Sequence, residues 1–566
     1  MPVVNVRFDA LKRSFPDFSL TKLIEEIPYL GLDIEAFDEG KGIVKIEFNP
    51  NRPDFASENG IIRGLKGILG TELGMPCIKK VQHSEKSVYV DKDLANIRPF
   101  IYGLIATRAI PLSEIEMTQL IGMQEDLHNG LGRKRKKSSI GLHNFDKLTF
   151  PLQYGLTDKN RKFKPLDSNK EEVSIAKILK ESAIGNRYGH LLDNYDRVPI
   201  LTDYNDNIVS VPPIINGALT KVDTDTRNLM VEVTGTNSKA ARQMLGILTY
   251  ELADMGFELF CLSVHSPVEG DIVSPSLEPI ILEAEIVHIN NLLGLDLTQD
   301  KIIDCLRKCR CDGLVERAGI IKCIAPSYRI DLYDSSDVLE EVAIGYGIIN
   351  LKPDIPSEYF GGNKNSLSFL LDKLRDVLIG LGFTEIINPS IISRNIMEQA
   401  LTLDKDLTSK LIWLGETKNS EYEVLRTSLV PSMINTLSVN IHEKYPQKLF
   451  EIGKIFRTNG NSVKESWSLC AAIAHDNADY SESKSNLESV FKYCFDKSVS
   501  TPRVQIPYFL NGHSARILLD NESIGCIGEV HPQVLENFSM RTLVGMFEID
   551  ISRIIDILNL TKRYFF

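Results

Sequence analysis

The sequence predicts a multidomain α+β chain, and three observations carry that prediction. The chain has 566 residues, 43% of them hydrophobic and 25% charged, which is ordinary for a globular protein but too long for one core. Helical and strand periodicities alternate along it. Proline and glycine marks break it into segments, at Pro267, Pro275 and Pro279 and again at Pro353, Pro356 and Gly361-Gly362. We therefore expect domains over residues 1–85, 86–270, 271–352 and 353–566.

In the first segment Ser19 can cap a helix that places Leu20, Leu23, Ile24 and Ile27 on one face. Val44, Ile46 and Phe48 alternate with charged residues and predict a half-buried strand. The turn Asn49-Pro50-Asn51-Arg52-Pro53-Asp54 ends it, and a glycine-punctuated helix follows through Ile61, Leu65 and Leu69. The second segment is richer in strands. Its two short apolar runs within Val209–Asn216 and Leu229–Thr236, bounded by proline and glycine, predict paired strands meeting at a pocket. A helix from about Ser238 to Met255 closes it, with Met244, Leu245, Leu248 and Leu252 on one stripe. In the third segment Thr298 can cap a helix carrying Ile302, Ile303 and Leu306, and a strand covers Gly319 to Ile324. The last 200 or so residues predict a larger α/β unit.

Composition excludes several classes of function. The net charge of −12 argues against a protein that wraps nucleic acid by charge alone, though a local basic patch could still touch RNA. The N-terminal residues have no basic segment followed by an apolar run, and no stretch approaches a membrane span. Nine scattered cysteines fit reduced thiols. A soluble, cytoplasmic protein without membrane association is expected.

Five carboxylates fall between Asp331 and Glu341. If Ser335 or Ser336 caps a helix there, Asp337, Glu340 and Glu341 project from one face. A hard cation such as Mg²⁺ would relieve their repulsion. The competing reading is that acids crowd a first turn because they favour the helix dipole. Spacing alone leaves both open.

Ala325-Pro326-Ser327-Tyr328-Arg329-Ile330-Asp331, the acids that follow, and Ala343-Ile344-Gly345-Tyr346-Gly347 resemble the signature of phenylalanyl-tRNA synthetase β subunits. Asn51-Arg52-Pro53-Asp54 resembles that family's N-terminal turn. Gln124–His128 and Ile140–His143 resemble its archaeal and eukaryotic-cytosolic branch. Val231–Thr236 resembles a strand of its editing domain, and Leu425–Pro431 and Leu449–Gly453 resemble its catalytic-like domain. The bacterial form's additional RNA-binding domains are not expected here. The resemblance implies that Asp331, Asp337, Glu340 and Glu341 are Mg²⁺ ligands in a site shared with an α subunit. It also implies a two-plus-two heterotetramer that uses ATP, phenylalanine and tRNA(Phe).

For the last domain the resemblance implies a class II synthetase-like antiparallel sheet with a degraded active site. Such enzymes clamp ATP phosphates with arginine, whose planar fork matches phosphate oxygens. Leu381-Gly382-Phe383 through Pro389 resembles the interface motif. Phe456-Arg457 begins like the second motif but continues Thr458-Asn459, and Gly545–Asp550 lacks the arginine of the third. ATP would accordingly be bound chiefly by the α subunit.

The resemblance further implies hydrolysis of tyrosine wrongly attached to tRNA(Phe). An apolar pocket rejects an added hydroxyl only weakly, so a second site must select it. Glu232 is the natural acceptor for a phenolic proton. Thr234 lies two residues along the same strand and could orient the substrate, while Ser210 and Asn216 could line the pocket. The competing reading puts Glu232 and Thr234 on the solvent face of an edge strand. No nucleophile is assigned.

Other features carry less. The basic run Arg133–Lys137 reads as a solvated loop or a tRNA contact. Cys305, Cys309, Cys311 and Cys323 lack zinc spacing and read as core thiols. His128 and His143 read as packed or surface histidines. Two alternatives stay open: a stand-alone aminoacyl-tRNA deacylase, and a purely structural assembly subunit.

Overall fold

The computed structural model describes residues 2–78, 81–166, 172–355, 361–401, 411–415, 419, 421–460 and 462–560. The chain divides into two compact units, Met1–Ile355 and Pro356–Phe566. It is a multidomain α+β protein.

The first unit begins with a three-stranded antiparallel sheet in the order Val3–Arg7, Ile43–Glu47, Asp33–Asp38. Alternation buries Val44 and Ile46 completely, as the period-two pattern requires. Ser19 caps helix Leu20–Glu26 by accepting from the Lys22 N–H. Helix Glu58–Ile68 packs so closely on helix Gln299–Lys308 that a Cβ at Gly67 would lie 2.1 Å from the Lys308 carbonyl oxygen. Only glycine permits that approach.

A ten-stranded sheet follows, with nine strands in one path and Gly270–Ser274 paired to Glu258–Ser266. Its middle runs Glu258–Ser266, Phe100–Thr107, Asn228–Gly235, with Ser138–Asn144 at the edge. The opposite end of the path is formed by Ile208–Val211 and Ile215–Asn216. Helix Ser238–Asp254 covers the central strands, burying Met244, Leu245, Leu248 and Leu252. One apolar core therefore joins this sheet to the N-terminal segment.

A second three-stranded antiparallel sheet, Ile280–Glu285, Ile320–Ala325 and Asp312–Arg317, packs with helices Gln299–Lys308 and Ser335–Tyr346. Thr298 caps the first of these. The second is capped by neither Ser335 nor Ser336. Asp334 is the N-cap and forms a capping box with Asp337. Asp334 accepts from the Ser336 N–H at 2.7 Å, and Asp337 reaches back to accept from the Asp334 N–H.

The second unit is built on a six-stranded sheet in the order Thr384–Glu385, Gln447–Asn459, Ser462–Ala474, Val544–Asp550, Glu522–Val530, Phe509–Leu519. All neighbours are antiparallel except the two-residue edge strand, which pairs in parallel, so the sheet is mixed where a purely antiparallel one was expected. One face buries Phe450, Leu469, Phe547, Ile527 and Ile517 against helices Ser366–Gly380 and Tyr480–Phe495. The other carries Glu451, Cys470, Glu548, Cys526 and Arg516 in one cross-strand row.

Candidate functional site

A cavity of about 510 Å³ opens beside the edge strand Ser138–Asn144, within the size range of small-molecule sites. Leu112, Leu120, Ile121, Ile140, Ile214 and Leu229 make most of its wall apolar. Polar groups enter from three places: Ser210 and Asn216 from the two terminal strands, Glu232 from Asn228–Gly235, and Gln124, Glu125 and Arg135 from helix Glu114–Asn129 and the turn after it.

Glu232 is not on an edge strand. Asn228–Gly235 is hydrogen-bonded on both sides, to Phe100–Thr107 and to Ser138–Asn144, and Glu232 is only 3% exposed. Ser210 Oγ donates to Glu232 Oε1 at 2.8 Å, while Oε2 has no protein partner among the described residues. Ser210 and Asn216 face each other across paired strands, and Asn216 Nδ2 donates to the Leu142 carbonyl at 3.2 Å. Three of the four residues singled out for editing thus meet at one cavity.

Thr234 does not. It is fully buried, accepts from Arg98 Nε at 2.9 Å, and lies 3.1 Å from Ser139 Oγ. Two residues along the strand keeps it on the Glu232 side, but that side is filled there by Arg98. Arg98 also donates to Ser139 and to the Thr234 and Arg135 carbonyls. Burial lowers its guanidinium to about 10, against the opposing pull of Tyr154 and Glu232.

The basic run is divided. Arg133, Lys134, Lys136 and Lys137 are exposed, but Arg135 turns inward and lines the cavity. Arg135 donates to the Ile214 carbonyl at 2.9 Å and to Glu125 at 2.7 Å, with its guanidinium over the Tyr188 ring. Residues 133 to 135 all have left-handed backbone, φ 50° to 65°, which reverses the chain tightly enough to separate their side chains. Glu125 is pulled down to about 2, first by its hydrogen bond from His128 and then, against burial, by the Arg135 charge. His128 is packed, its Nε2 accepting from the Ile140 N–H at 2.8 Å. His143 is fully buried with Nδ1 2.8 Å from Thr220 Oγ1. Charge patterning gave no sign that Arg135 alone would reach the pocket.

The acidic constellation is arranged differently from the expectation. Arg329, fully buried, forms paired hydrogen bonds with both Asp331 and Glu341 at 2.6 to 3.0 Å. Asp337 is spent on the capping box, accepting from the Tyr333 and Asp334 N–H groups. Glu340 stays at the surface. Partial desolvation, then the like charges of Glu341, Asp337 and Asp331, push its carboxyl up. Burial raises Asp331, but hydrogen bonding and charge from Arg329 hold it below the usual carboxylate range. Oxygen donors suit Mg²⁺, yet among the described residues no three His, Cys, Asp or Glu side chains are grouped to hold a metal ion. As arranged, Asp331, Asp337, Glu340 and Glu341 do not converge as a ligand set for the ion: Arg329 engages Asp331 and Glu341, and Asp337 is held by the cap. Cys305, Cys311 and Cys323 are buried thiols of the same core, and Cys309 donates to the Glu341 carbonyl.

In the second unit a cavity of about 550 Å³ lies on the polar sheet face. Arg457 lines it, as do two arginines the motif reading did not mark, Arg516 and Arg553. Strand Val544–Asp550 contributes Glu548 and Asp550. Glu548 is fully engaged, accepting from the Leu429 N–H and from the Ser428 and Ser468 hydroxyls.

Among the described residues, no helix is long and apolar enough to cross a membrane. Residues 282–348 match the tRNA synthetase B5 domain, and residues 351–551 match the phenylalanyl tRNA synthetase beta chain CLM domain. The chain is 34% identical over 560 residues to the phenylalanine–tRNA ligase beta subunit of Archaeoglobus fulgidus, covering 98% of this chain and 99% of that protein. It is 33% identical over 562 residues to the protein of the same name from Methanocaldococcus jannaschii, covering 97% and 100%. A crystal structure of an N-terminal fragment of the phenylalanyl-tRNA synthetase β-subunit from Pyrococcus horikoshii superposes with a TM-score of 0.58 at 33% identity, covering 61% of this chain and 100% of that one.

Proposed function

This chain belongs to the family of phenylalanine–tRNA ligase β subunits, and on that premise we propose that it edits tyrosine from tRNA(Phe) while α subunits form the phenylalanyl adenylate. The observation that carries the editing reading is the Glu232 carboxylate, buried at an apolar cavity with one oxygen held by Ser210 and the other without a protein partner. An aromatic ring would pack on Leu120, Ile121 and Ile214, and its para hydroxyl would donate to Glu232 Oε2. Phenylalanine would leave that oxygen buried and unpaired, which costs far more than a missing contact. Asn216 and Gln124 would orient the ester end, and water would attack there without a protein nucleophile.

The α partner is inferred from the family, as are the two-plus-two assembly, tRNA(Phe), phenylalanine and ATP as its substrates, and a cytoplasmic setting. The second unit is proposed as a class II synthetase-like scaffold. Its support is the largely antiparallel six-stranded sheet, whose polar face carries a cavity lined by Arg457, Arg516 and Arg553 together with the carboxylates Glu548 and Asp550.

The test is deacylation of tyrosyl- and phenylalanyl-tRNA(Phe) by the chain alone and with its α partner. Selective loss of tyrosine, abolished in Glu232→Gln and reduced in Ser210→Ala, is the expected result. Equal hydrolysis of both substrates, or none in either form, would remove the editing assignment. Activity without the partner would favour a stand-alone deacylase.

A further inference from the structure

Glu232 lies one strand in from the sheet edge, and its side chain leans over the edge strand Ser138–Asn144. The residue directly across from it is Gly141. A Cβ at position 141 would lie 2.6 Å from Glu232 Oε1, 2.9 Å from Glu232 Cγ and 2.6 Å from His143 Nε2. Real Cβ atoms do not approach neighbours so closely. A glycine inside a strand weakens the strand, and it marks a place where something else must come near. Here that something is a buried carboxylate.

Behind the same gap stands His143. Its Nδ1 is tied to Thr220, which lines the cavity, and its Nε2 has no protein hydrogen-bond partner among the described residues. That nitrogen lies 3.8 Å from Glu232 Oε1, the oxygen that accepts from Ser210. Glu232 Oε1 is therefore bracketed by a hydroxyl and an imidazole, which leaves Oε2 as the oxygen free to meet a ligand donor.

We propose that Gly141 and His143 are positioning residues for Glu232: Gly141 is the opening through which the carboxylate reaches the cavity, and His143 fixes which of its oxygens is presented. This inference rests on the editing reading and deepens it. The site would take a side chain that is apolar along its length and ends in one O–H donor.

Two assays on the full chain with its α partner separate this inference from the reading beneath it. One measures the ratio of tyrosyl- to phenylalanyl-tRNA(Phe) deacylation. The other titrates tyrosinamide and phenylalaninamide by NMR, which reports recognition without hydrolysis. Gly141→Ala is expected to lower both preferences by about 10- to 100-fold, the effect of an unpaired buried acceptor. His143→Leu should lower them less, and His143→Gln, which keeps a nitrogen near the Nε2 position, should restore them. In a Glu232→Gln background Gly141→Ala should have no further effect, whereas a merely structural role would add to it.

If Glu232→Gln abolishes the preference for tyrosine while Gly141→Ala leaves it at the wild-type value, the inference is overturned and the editing reading stands. If the wild type hydrolyses neither substrate but prefers tyrosinamide in a Gly141-dependent way, the editing reading falls and the positioning roles stand. No preference in either wild-type assay overturns both.

Discussion

Arg329 meets Glu341 through two parallel hydrogen bonds, Nη2 to Oε1 at 2.6 Å and Nη1 to Oε2 at 2.8 Å, with both side chains buried. Asp331 binds the same guanidinium from its other edge. The Pro-x-x-Arg turn and the acidic helix, which look like separate motifs, are two halves of one ion cluster. Arg329→Met should destabilise the first unit by about 3–5 kcal/mol, because it leaves Glu341 buried without a counter-charge. Glu341→Met in the same chain should recover much of that loss. Calorimetry on the single and double variants decides it; additive losses would mean the cluster is not coupled.

The same arrangement makes a prediction about metal. For the isolated chain, millimolar Mg²⁺ and excess chelator should give melting temperatures within about 1 °C of each other, since a site that binds only the folded state raises stability with ligand concentration. A rise of several degrees that disappears in Glu340→Gln would show that the acids hold a cation beside Arg329.

Acid should loosen the cavity region through Glu125. Its carboxyl is pulled down from 4.5 to about 2 by the His128 hydrogen bond first and by the Arg135 charge. A group depressed in the folded state contributes stability that is full above its unfolded value and lost as pH falls from there towards about 2. Glu125→Gln should flatten the pH dependence of stability over that window while lowering stability at neutral pH. Thermal melts between pH 7 and pH 3 measure it. An unchanged slope would show that Glu125 is not held by these partners.

Gly67→Ala should cost about 1–3 kcal/mol or more, because its methyl group would meet the Lys308 carbonyl, a backbone atom that cannot rotate away. Gly122→Ala, where a methyl group would meet open space, is the control and should be neutral or slightly stabilising. Urea denaturation of the two variants compares them directly.

Local chemistry was readable where it is complete within a few residues. Ser19 and Thr298 cap the helices assigned to them, since a cap needs only a hydroxyl and an N–H three residues on. Val44 and Ile46 face the core because the strand period is two. The cap falls at Asp334 and not at Ser335 or Ser336, because each of several consecutive polar residues can serve as an N-cap. Arg135 was hidden inside a basic run, since three left-handed residues, not charge, decide which member turns inward.

The sequence by itself determined the alternation of elements, several caps and core faces, and the residues Glu232, Ser210 and Asn216 as candidates. It also carried the family resemblance. Only the tertiary structure decided that these three share a cavity, that Thr234 is walled off by Arg98, and that Arg329 engages Asp331 and Glu341. The physical reason is the same in each case. Caps and faces depend on neighbours a few residues away, whereas a pocket and a buried ion cluster depend on which distant side chain arrives first to satisfy a charge or fill a gap.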